Sequence, residues 1–286
     1  MYYLGFDIGA SAVKAALVEN KKIIKSLIEN SADNFEDWFG LLIKIFGELS
    51  ADLESLQIGG VGFGIAGTLD AKREKMLNSP NIKYLNEQPL KELLAQKFAP
   101  HKILIEHDVH CFLLAEKEVG LAKEMQNVFY LTLGSGIGGA YMVNGKIAYG
   151  AHGSAGEAGH MIIKMNEEMG LEELAANKFI IKLLGFGSRD AIEKARLGEK
   201  KAKDIFAELG QNLGVGIANI VNIFDPEAVI LSGGISEAKD LIMPGVKEAI
   251  EKFVISPSAK KTEILFSKLG RFGGALGAAL LAEKNE

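Results

Sequence analysis

A glycine-rich stretch, LTLGSGIGGAYMVNGK at residues 131–146, constrains the fold of this chain more than any other feature. Its glycines fit the G-x-G-x-x-G pattern of dinucleotide-binding loops, which requires a helix to begin at the glycines. The residues that follow are instead typical of a strand, and Asn144-Gly145 is a strong signal for a two-residue hairpin turn. The sequence therefore predicts strand, glycine loop, strand, hairpin and strand, which excludes a Rossmann fold.

The N-terminal residues show the same order of elements. Residues 2–28 read strand, small-residue turn, strand, a turn at Asn20-Lys21 and strand, and residues 128–149 repeat this order with Asn144-Gly145 at the second turn. We interpret the repeat as a duplication that produces two related domains with a cleft between them. Chance is the alternative, because strand-turn-strand units are common.

Helices and strands alternate through the remainder of the chain, which indicates the α/β class. Apolar spacing and turn residues predict helices at 34–53, 89–98, 109–120, 202–224, 241–253 and 273–284, and strands at 58–67, 102–108 and 228–235. We predict a smaller N-terminal domain of residues 1–117 and a larger domain of residues 118–286, joined through the helix at 109–120. The helix at 273–284 is a candidate to pack back on the first domain.

The composition limits the class of partner. The 286 residues are 48% hydrophobic, enough for a large core, and 32 Lys and Arg against 37 Asp and Glu give a net charge of −5. An acidic surface disfavours a nucleic-acid partner, which needs clustered basic residues. No signal peptide and no apolar run of the roughly 18 residues that a membrane span needs is visible. Cys111 is the single cysteine, so we expect a cytoplasmic protein with no disulfide and no multi-cysteine metal site.

An aspartate at the end of the first predicted strand is a candidate metal and phosphate ligand. Asp7 precedes a turn of small residues, and Lys14 follows seven positions later. Ligands of α/β proteins collect at the carboxyl ends of strands, where a carboxylate can hold the water shell of Mg²⁺. The N–H groups of the turn can hold phosphate oxygens. The alternative is an aspartate that only caps its turn.

Two further glycine turns follow predicted strands. Gly134, Ser135, Gly136 and Gly138 form a turn without bulky side chains, which indicates a second phosphate site; the alternative is a tight bend that needs glycine for its dihedral angles. The turn at Gly233-Gly234 could lie against an adenine ring, although a simple strand-to-helix turn fits as well.

Two acidic positions are candidates for work on a hydroxyl-rich ligand. Asp108 follows an apolar strand, where it could accept a proton from a hydroxyl that attacks a phosphate, or could cap the next helix. Glu157 and His160 lie in a glycine-rich loop and could bind hydroxyls or contribute to a metal site. Residues 161–175 contain no Cys or His, which argues against zinc.

Six motifs in order resemble those of the ROK family of sugar kinases, within the actin-like, ribonuclease-H-like ATPase superfamily. They are DIGASAVK, GFGIAGTLD, EHDVHCFLLAE, LGSGIGGAYMVNGKIAYGAHGSAGEAGHM, IANIVNIFDPEAVILSGGIS and GRFGGALGAALLAE. The resemblance covers essentially the whole chain. It implies two ribonuclease-H-like domains that close on a sugar, ATP and Mg²⁺ in the cleft, phosphoryl transfer to a hexose hydroxyl, and a homodimer.

The resemblance also implies roles for individual residues. Asp108 matches the catalytic base, and Asp7 would hold Mg²⁺ through water. The matching nucleotide positions are Asp7, Gly9, Ser11 and Lys14 for the first phosphate motif, Gly134, Ser135, Gly136 and Gly138 for the second, and Gly233 and Gly234 for adenosine. The matching sugar-binding positions are Gly67, Asn81, His107, Glu157, His160 and Glu172.

The chain departs from the family pattern in two places. His107 and His110 stand where members carry asparagines, so the sugar pocket is expected to be reshaped. The zinc-binding cysteine motif expected after His160 is replaced by MIIKMNEEMGL. We predict a zinc-free variant whose loop is held by apolar packing of residues 161–163, namely Met161, Ile162 and Ile163, and whose His160 contacts the sugar.

The sequence therefore predicts an ATP-dependent sugar kinase, with glucokinase as the first assignment. The alternatives are an N-acylhexosamine or fructose kinase, a polyphosphate-dependent glucokinase, and a sugar sensor without catalysis. Repressors of this family carry a DNA-binding segment before the kinase-like part. The first phosphate motif begins here at residue 7, which favours a kinase over a repressor.

Overall fold

The computed structural model describes residues 1–284 and divides into two compact units. The first unit contains Met1–Glu124, Ile147–Ala155 and the segment that begins at Lys268. The second unit contains Met125–Lys146 and Gly156–Ser267. The domain boundary drawn from the sequence at residues 117 and 118 stays a prediction.

The first unit carries a five-stranded sheet with helices on its faces. Its elements are β1 (Tyr2–Ile8), β2 (Ala12–Glu19), β3 (Lys22–Asn30), α1 (Phe35–Ser50), β4 (Ile58–Ile65), β5 (Thr68–Leu69), β6 (Met76–Asn78), α2 (Leu90–Lys97), β7 (Lys102–His107), α3 (Asp108–Val119) and, from the end of the chain, α9 (Gly273–Lys284). The strand order is β3-β2-β1-β4-β7, and β5 pairs with β6 in a separate hairpin.

The second unit carries another five-stranded sheet. Its elements are β8 (Val128–Leu133), β9 (Ile137–Val143), β10 (Lys146–Ile147), β11 (Ile162–Lys164), β12 (Met169–Gly170), α4 (Leu171–Ala175), α5 (Asn177–Leu184), α6 (Ser188–Arg196), α7 (Lys200–Phe224), β13 (Ala228–Ser232), α8 (Lys239–Phe253) and β14 (Glu263–Phe266). The strand order is β10-β9-β8-β13-β14. No helix within the described residues is long and apolar enough to cross a membrane.

The two sheets have the same topology. In each, three consecutive strands form a meander, and two later strands add in parallel beside the first strand of that meander. The hairpin turns also correspond, because Asn20-Lys21 and Asn144-Gly145 both have positive φ at two successive residues, as a type I′ turn requires. The α/β class and the strand, glycine loop, strand, hairpin order are confirmed, and the shared topology supports the duplication.

Apolar periodicity explains how α1 covers one face of the first sheet. Asn34 caps the helix, since its side chain accepts a hydrogen bond from Asp37 N. Trp38, Leu42 and Ile45 recur at helical spacing and are buried against the sheet. The core of the second unit is built in the same way, with α7 as its longest helix.

The opposite face of the first sheet is covered by α9, which approaches the strands unusually closely. A side chain on Gly62 of β4 would overlap the carbonyl oxygen of Ala278. A Cβ on Gly274, at the start of the helix, would lie 2.8 Å from Cγ of Asp7. The glycines therefore allow the backbone of α9 to lie on the sheet, with its N-terminal end beside the Asp7 carboxylate.

Local details differ from the sequence expectations. The strand predicted to end at Asp108 ends at His107, and Asp108 is the first residue of α3. Gly138 belongs to β9, where it pairs with Thr132, so it is not part of the turn and that prediction was wrong. The pairing of β8 with β9 continues to Leu133 and Ile137, which leaves only residues 134–136 for the turn.

The prediction that residues 161–163 all pack inward was wrong at one position. Met161 and Ile163 pack against the core of the second unit, but Ile162 is 51% exposed. The cause is the strand β11, because successive side chains of a strand point to opposite faces. An apolar run thus cannot bury every member unless both faces are covered.

Candidate active site

The carboxyl ends of the parallel strands β1, β4 and β7 lie side by side in the first unit. The register aligns Ile8 with Ile65 and Ile65 with His107. One step earlier, Asp7 aligns with Gly64, and a Cβ on Gly64 would lie 3.4 Å from the Cα of Asp108. The strand register therefore brings Asp7 and Asp108 to the same edge of the sheet, as the sequence predicted for ligand-binding residues.

Asp7 is a buried carboxylate in an ion pair. Its side chain Oδ2 accepts a hydrogen bond from Lys14 Nζ at 2.8 Å, across the β1–β2 pair, and the residue is 3% exposed. Burial raises the pKa of Asp7 to about 6, Lys14 opposes that shift, and the negative charge of Asp108 adds to it. The two carboxylates are thus close enough for the charge of Asp108 to contribute to the raised pKa of Asp7.

These donors fit a magnesium ion that keeps most of its own water. Mg²⁺ prefers oxygen ligands and needs only one or two carboxylates when phosphates complete its shell. Within residues 1–284, no group of three or more His, Cys, Asp or Glu residues could hold an ion on its own. The sheet edge that carries Asp7 and Asp108, which we call the first-unit edge, presents oxygen atoms of the kind that such an ion prefers.

Asp108 begins α3 and faces outward more than Asp7 does. Its side chain is 23% exposed, and its Oδ1 accepts a hydrogen bond from Val109 N at 2.9 Å. His107 Nδ1 lies 3.4 Å from the same oxygen. The N-cap residue of α3 is His107, so the alternative in which Asp108 caps the helix is wrong. A carboxylate held at one oxygen and partly open to solvent is suited to accept a proton.

A buried group of side chains lies directly behind Asp108. Glu106 is 3% exposed, and its Oε1 accepts hydrogen bonds from Arg73 Nε at 3.0 Å, His107 N at 2.9 Å and His110 Nδ1 at 2.9 Å. Burial alone would raise the pKa of Glu106, but His110, Arg73 and the His107 N–H lower it below its ordinary value. Glu106 is therefore ionised, and His110 Nδ1 must carry the proton of their hydrogen bond.

Arg73 and Tyr149 complete this group, which we call the Glu106 cluster: Arg73, Glu106, His110 and Tyr149. The guanidinium of Arg73 lies 3.6 Å from the centre of the Tyr149 ring, and that ring meets the His110 ring edge to face at 5.2 Å. The sequence analysis singled out His110 alone. The charged Glu106 inside an apolar strand was the available signal, whereas nothing in the sequence pointed to Arg73 or Tyr149.

The remaining first-unit positions lie in the loops that follow these strands. Gly67 has φ of 137°, which side chains rarely adopt, and a Cβ there would lie 2.8 Å from Asn78 O. Asn81 is exposed, as is Ser11, and Gly9 N donates to Ala12 O across the first turn. The structure thus places these positions in the loops after β1, β4 and β6.

In the second unit, the glycine turn rests on a carboxylate. Glu172 Oε2 accepts a hydrogen bond from Ile137 N at 2.8 Å, and a Cβ on Gly136 would overlap the same oxygen. Lys178 Nζ donates to Glu172 Oε1 at 2.7 Å. Asn177 N donates to Gly134 O at 3.0 Å. The turn is therefore hydrogen-bonded to two helices, α4 through Glu172 and α5 through Asn177. Ser135 lies exposed at its tip.

The Gly233-Gly234 turn, which the resemblance assigns to adenosine, lies beside the glycine turn at residues 134–136. Gly233 has φ of 85°, and any Cβ would overlap the carbonyl oxygen of Leu133 at the end of β8. Gly234 is exposed, and a Cβ on it would lie 3.7 Å from Ser188 Oγ. A shallow cavity lined by Arg189, Ile192, Glu193, Arg196, Leu197 and Glu237 lies in the same part of the unit. The structure therefore brings the two glycine turns of this unit together at the neighbouring ends of β8 and β13.

Glu157 directly precedes a short 3-10 turn, Ala158–His160, whose last residue is His160, and both side chains are exposed. His160 N donates to Glu157 O at 3.1 Å. The turn packs on β9, since a Cβ on Gly159 would overlap Ile137 O, one residue past the glycine turn. The turn that holds both predicted sugar ligands therefore lies close to the glycine turn at residues 134–136. The zinc-free character of this loop stays a prediction.

Comparison with known proteins assigns the chain to a family. The model of the ROK family matches residues 3–285. The chain belongs to the ROK family. A glucokinase of Streptomyces coelicolor is 25% identical, with 98% of this chain and 97% of that protein aligned. A xylose repressor of Bacillus subtilis is 28% identical over 96% of this chain and 75% of the repressor.

A solved structure agrees with the assignment. A ROK family glucokinase from Streptomyces griseus, in complex with glucose and AMPPNP, superposes with a TM-score of 0.85 and is 26% identical. The alignment covers 99% of this chain and all of the other. The expected resemblance to ROK sugar kinases is therefore confirmed at the level of family and fold.

Proposed function

We propose that this ROK protein is an ATP-dependent kinase that transfers the γ-phosphoryl group to a hexose hydroxyl. The observation that carries the proposal is the pair of carboxylates at the first-unit edge: a buried Asp7 held by Lys14, and a partly exposed Asp108 at the start of α3. The Streptomyces griseus glucokinase, solved with a sugar and an ATP analogue, supports the same chemistry.

In the proposed mechanism, Asp108 accepts the proton of the attacking sugar hydroxyl. The hydroxyl oxygen forms a bond to the γ-phosphorus, the bond from that phosphorus to the bridging oxygen breaks, and ADP leaves. Lys14 and the N–H groups of the turn at residues 134–136 stabilise negative charge on the transferring group. Mg²⁺, when bound through Asp7, would neutralise phosphate charge. We also propose that the two domains close on the sugar and exclude water that would otherwise accept the phosphoryl group.

Glucose is the proposed first substrate, and the two histidines are the reason to test others. His107 and His110 replace asparagines in the family pattern, so an N-acylhexosamine or fructose remains an alternative. Polyphosphate is the alternative donor, but the complete turn at Gly233-Gly234 favours ATP. The Bacillus subtilis relative is named as a repressor, which keeps a sugar sensor without catalysis as the second candidate.

The deciding experiment is an ADP-release assay with Mg²⁺ and ATP across glucose, mannose, fructose, allose, N-acetylglucosamine and N-acetylmannosamine. Loss of a general base typically costs about 10²–10⁴-fold, so Asp108→Asn should lose that much turnover. Sugar-dependent ADP release that requires Asp108 supports the kinase and identifies its sugar. Sugar binding by calorimetry without release from ATP or polyphosphate would instead support the sensor.

Three further features belong to the same proposal. We expect Asp7 to bind Mg²⁺ through water, with Gly9, Ser11, Gly138 and the other motif positions contributing to the nucleotide site. We expect the following residues to line the sugar site: Gly67, Asn81, His107, Glu157, His160 and Glu172. We also expect a cytoplasmic homodimer, which sedimentation analysis of the purified protein would test.

A further inference from the structure

The proposed mechanism gives no task to the Glu106 cluster, although the cluster lies next to the proposed base. Glu106 is the second-last residue of β7, and it directly precedes His107 and Asp108, where the strand passes into α3. Its carboxylate is buried and accepts hydrogen bonds from three residues, Arg73 in the β5–β6 turn and His107 and His110 at the start of α3. Such a carboxylate is stable only while its donors stay in place, since an unpaired buried charge is costly.

Arg73 is the donor that comes from farthest away. It lies in the turn of the β5–β6 hairpin, with φ of 54°, and its Nε lies 3.0 and 2.9 Å from the two oxygens of Glu106. The Tyr149 ring under its guanidinium fixes the plane of the group. Arg73 therefore joins the hairpin, the strand β7 and residues 147–155 within the first unit.

Three successive contacts lead from Arg73 to Asp108, and the first is the pairing of Arg73 with Glu106. Glu106 holds the His107 N–H and the His110 ring, which lie at the start and in the first turn of α3. The His107 and His110 rings lie 5.4 Å apart, and His107 Nδ1 contacts the Asp108 carboxylate. A change in the position of Glu106 would therefore move the groups that set the direction of that carboxylate.

We propose that Arg73 is a positioning residue for phosphoryl transfer: through Glu106 it fixes the first turn of α3 and so the orientation of Asp108. The inference rests on the proposed kinase function. Arg73 acts on Asp108 only through Glu106 and the two histidines, so its loss affects turnover and not primarily sugar binding. Displacement of a reacting group by about 1 Å can cost about 10²-fold in rate.

The test compares Arg73→Met with Arg73→Lys in the full-length protein. Methionine keeps an apolar stem over Tyr149 and removes the guanidinium, so kcat should fall about 10- to 100-fold while the sugar KM changes less than about threefold. Lysine restores a cation without the planar fork and should recover part of the loss. A KM that rises as much as kcat falls would overturn the inference.

The neighbouring residue provides a matched control. Glu74 lies in the same turn, and its carboxylate makes an exposed ion pair with Lys91 at 3.0 Å. Glu74→Gln removes a charged side chain from the turn without touching Glu106, and kcat should stay within about twofold, since exposed ion pairs contribute little. An equal loss in Glu74→Gln and Arg73→Met would show that only the hairpin matters, and would overturn the role assigned to Arg73.

A double-mutant cycle tests whether Arg73 acts through Glu106. In Glu106→Gln the amide no longer needs a cation, so Arg73→Met should cost little more in that background. Losses that multiply would show two independent effects and overturn the inference. Thermal unfolding of each variant identifies any that fails to fold, and Arg73→Lys then carries the comparison.

An NMR measurement does not depend on catalysis. With ¹⁵N-histidine labelling, the Nδ1 proton of buried His110 should give a low-field resonance in the wild type, which Arg73→Met shifts or broadens and Glu74→Gln leaves unchanged. An unchanged resonance in Arg73→Met would overturn the inference. A wild type that turns over no sugar refutes the proposed function, whereas an active wild type with an equally active Arg73→Met refutes this inference alone.

Discussion

The two units share one sheet topology but place different groups at the ends of their strands. The first-unit edge carries charged side chains with fixed partners: Asp7 with Lys14, and Glu106 with Arg73 and His110. The corresponding edge of the second unit is mostly backbone, at Gly134 to Gly136 and Gly233, with Glu172 beneath it. A duplicated topology thus places strand ends of the same kind in both units, and the groups at those ends differ: charged side chains in the first unit and mainly backbone in the second.

The sharpest test of this contrast exchanges one side chain at each edge. Asp108→Asn should lower kcat by about 10²–10⁴-fold, because the base is lost. Ser135→Ala should cost only about fivefold, because a single hydroxyl hydrogen bond contributes about 1 kcal/mol and the backbone N–H groups remain. Steady-state kinetics with circular dichroism as a folding check would measure both. Equal losses of kcat in the two variants would contradict the contrast between a side-chain edge and a backbone edge.

The backbone turn in the second unit should instead be sensitive to any side chain added at its glycines. Gly136→Ala places a methyl group where Glu172 Oε2 lies, so the turn or the carboxylate must move. We expect the KM for ATP to rise about tenfold, since a 1.4 kcal/mol loss corresponds to that factor. The shorter acid in Gly136→Ala/Glu172→Asp should restore part of the affinity for ATP. Nucleotide titration by calorimetry would show it, and no recovery would mean that the clash is elsewhere.

The first-unit edge should respond to pH. In the free protein the pKa of Asp7 is raised to about 6, so its carboxylate is protonated as the pH falls through that value. Metal-dependent activity should then decline below about pH 6, by up to tenfold for each further unit. The sign for stability is opposite: the raised pKa makes the folded state lose stability as pH rises from about 4 to 6. Activity measured in Mg²⁺ titrations at several pH values tests the first trend, urea unfolding at the same pH values tests the second, and Asp7→Asn should remove both.

The smallest expected effect concerns the loop where the family carries cysteines. Ile163→Ala should lower the free energy of unfolding by about 1 kcal/mol, because the side chain packs on the second-unit core. Ile162→Ala should stay within about 0.5 kcal/mol, since that residue is half exposed. Urea unfolding measures the difference. A larger cost at Ile162 would indicate that something covers it in solution.

The sequence predicted what is encoded locally. Apolar alternation and the paired turns at Asn20-Lys21 and Asn144-Gly145 identified both meanders, and strand ends followed by Asp7 and Asp108 identified the first-unit edge. The short helices between residues 171 and 196 were not predicted, because they are brief and their burial depends on α7.

Contacts between distant residues could not be predicted in this way. Arg73 and Glu106 are 33 positions apart, and their pairing depends on how the β5–β6 hairpin folds over β7. The contact of Glu172 with the glycine turn likewise joins residues 35 positions apart. The sequence named Glu172 as a sugar ligand through family resemblance, but it carried no sign that the carboxylate already has two donors in the folded chain.

The close approach of α9 to Gly62 and Asp7 has a consequence for biosynthesis. The second face of the first sheet is covered by residues 273–284, although that sheet begins at Tyr2. On the ribosome, the β1–β4 region therefore emerges long before the helix that completes it, whereas the sheet of the second unit has all its strands by residue 266. The unit whose strands are translated first is thus the last that can complete its core, because its covering helix is the last element to be synthesised.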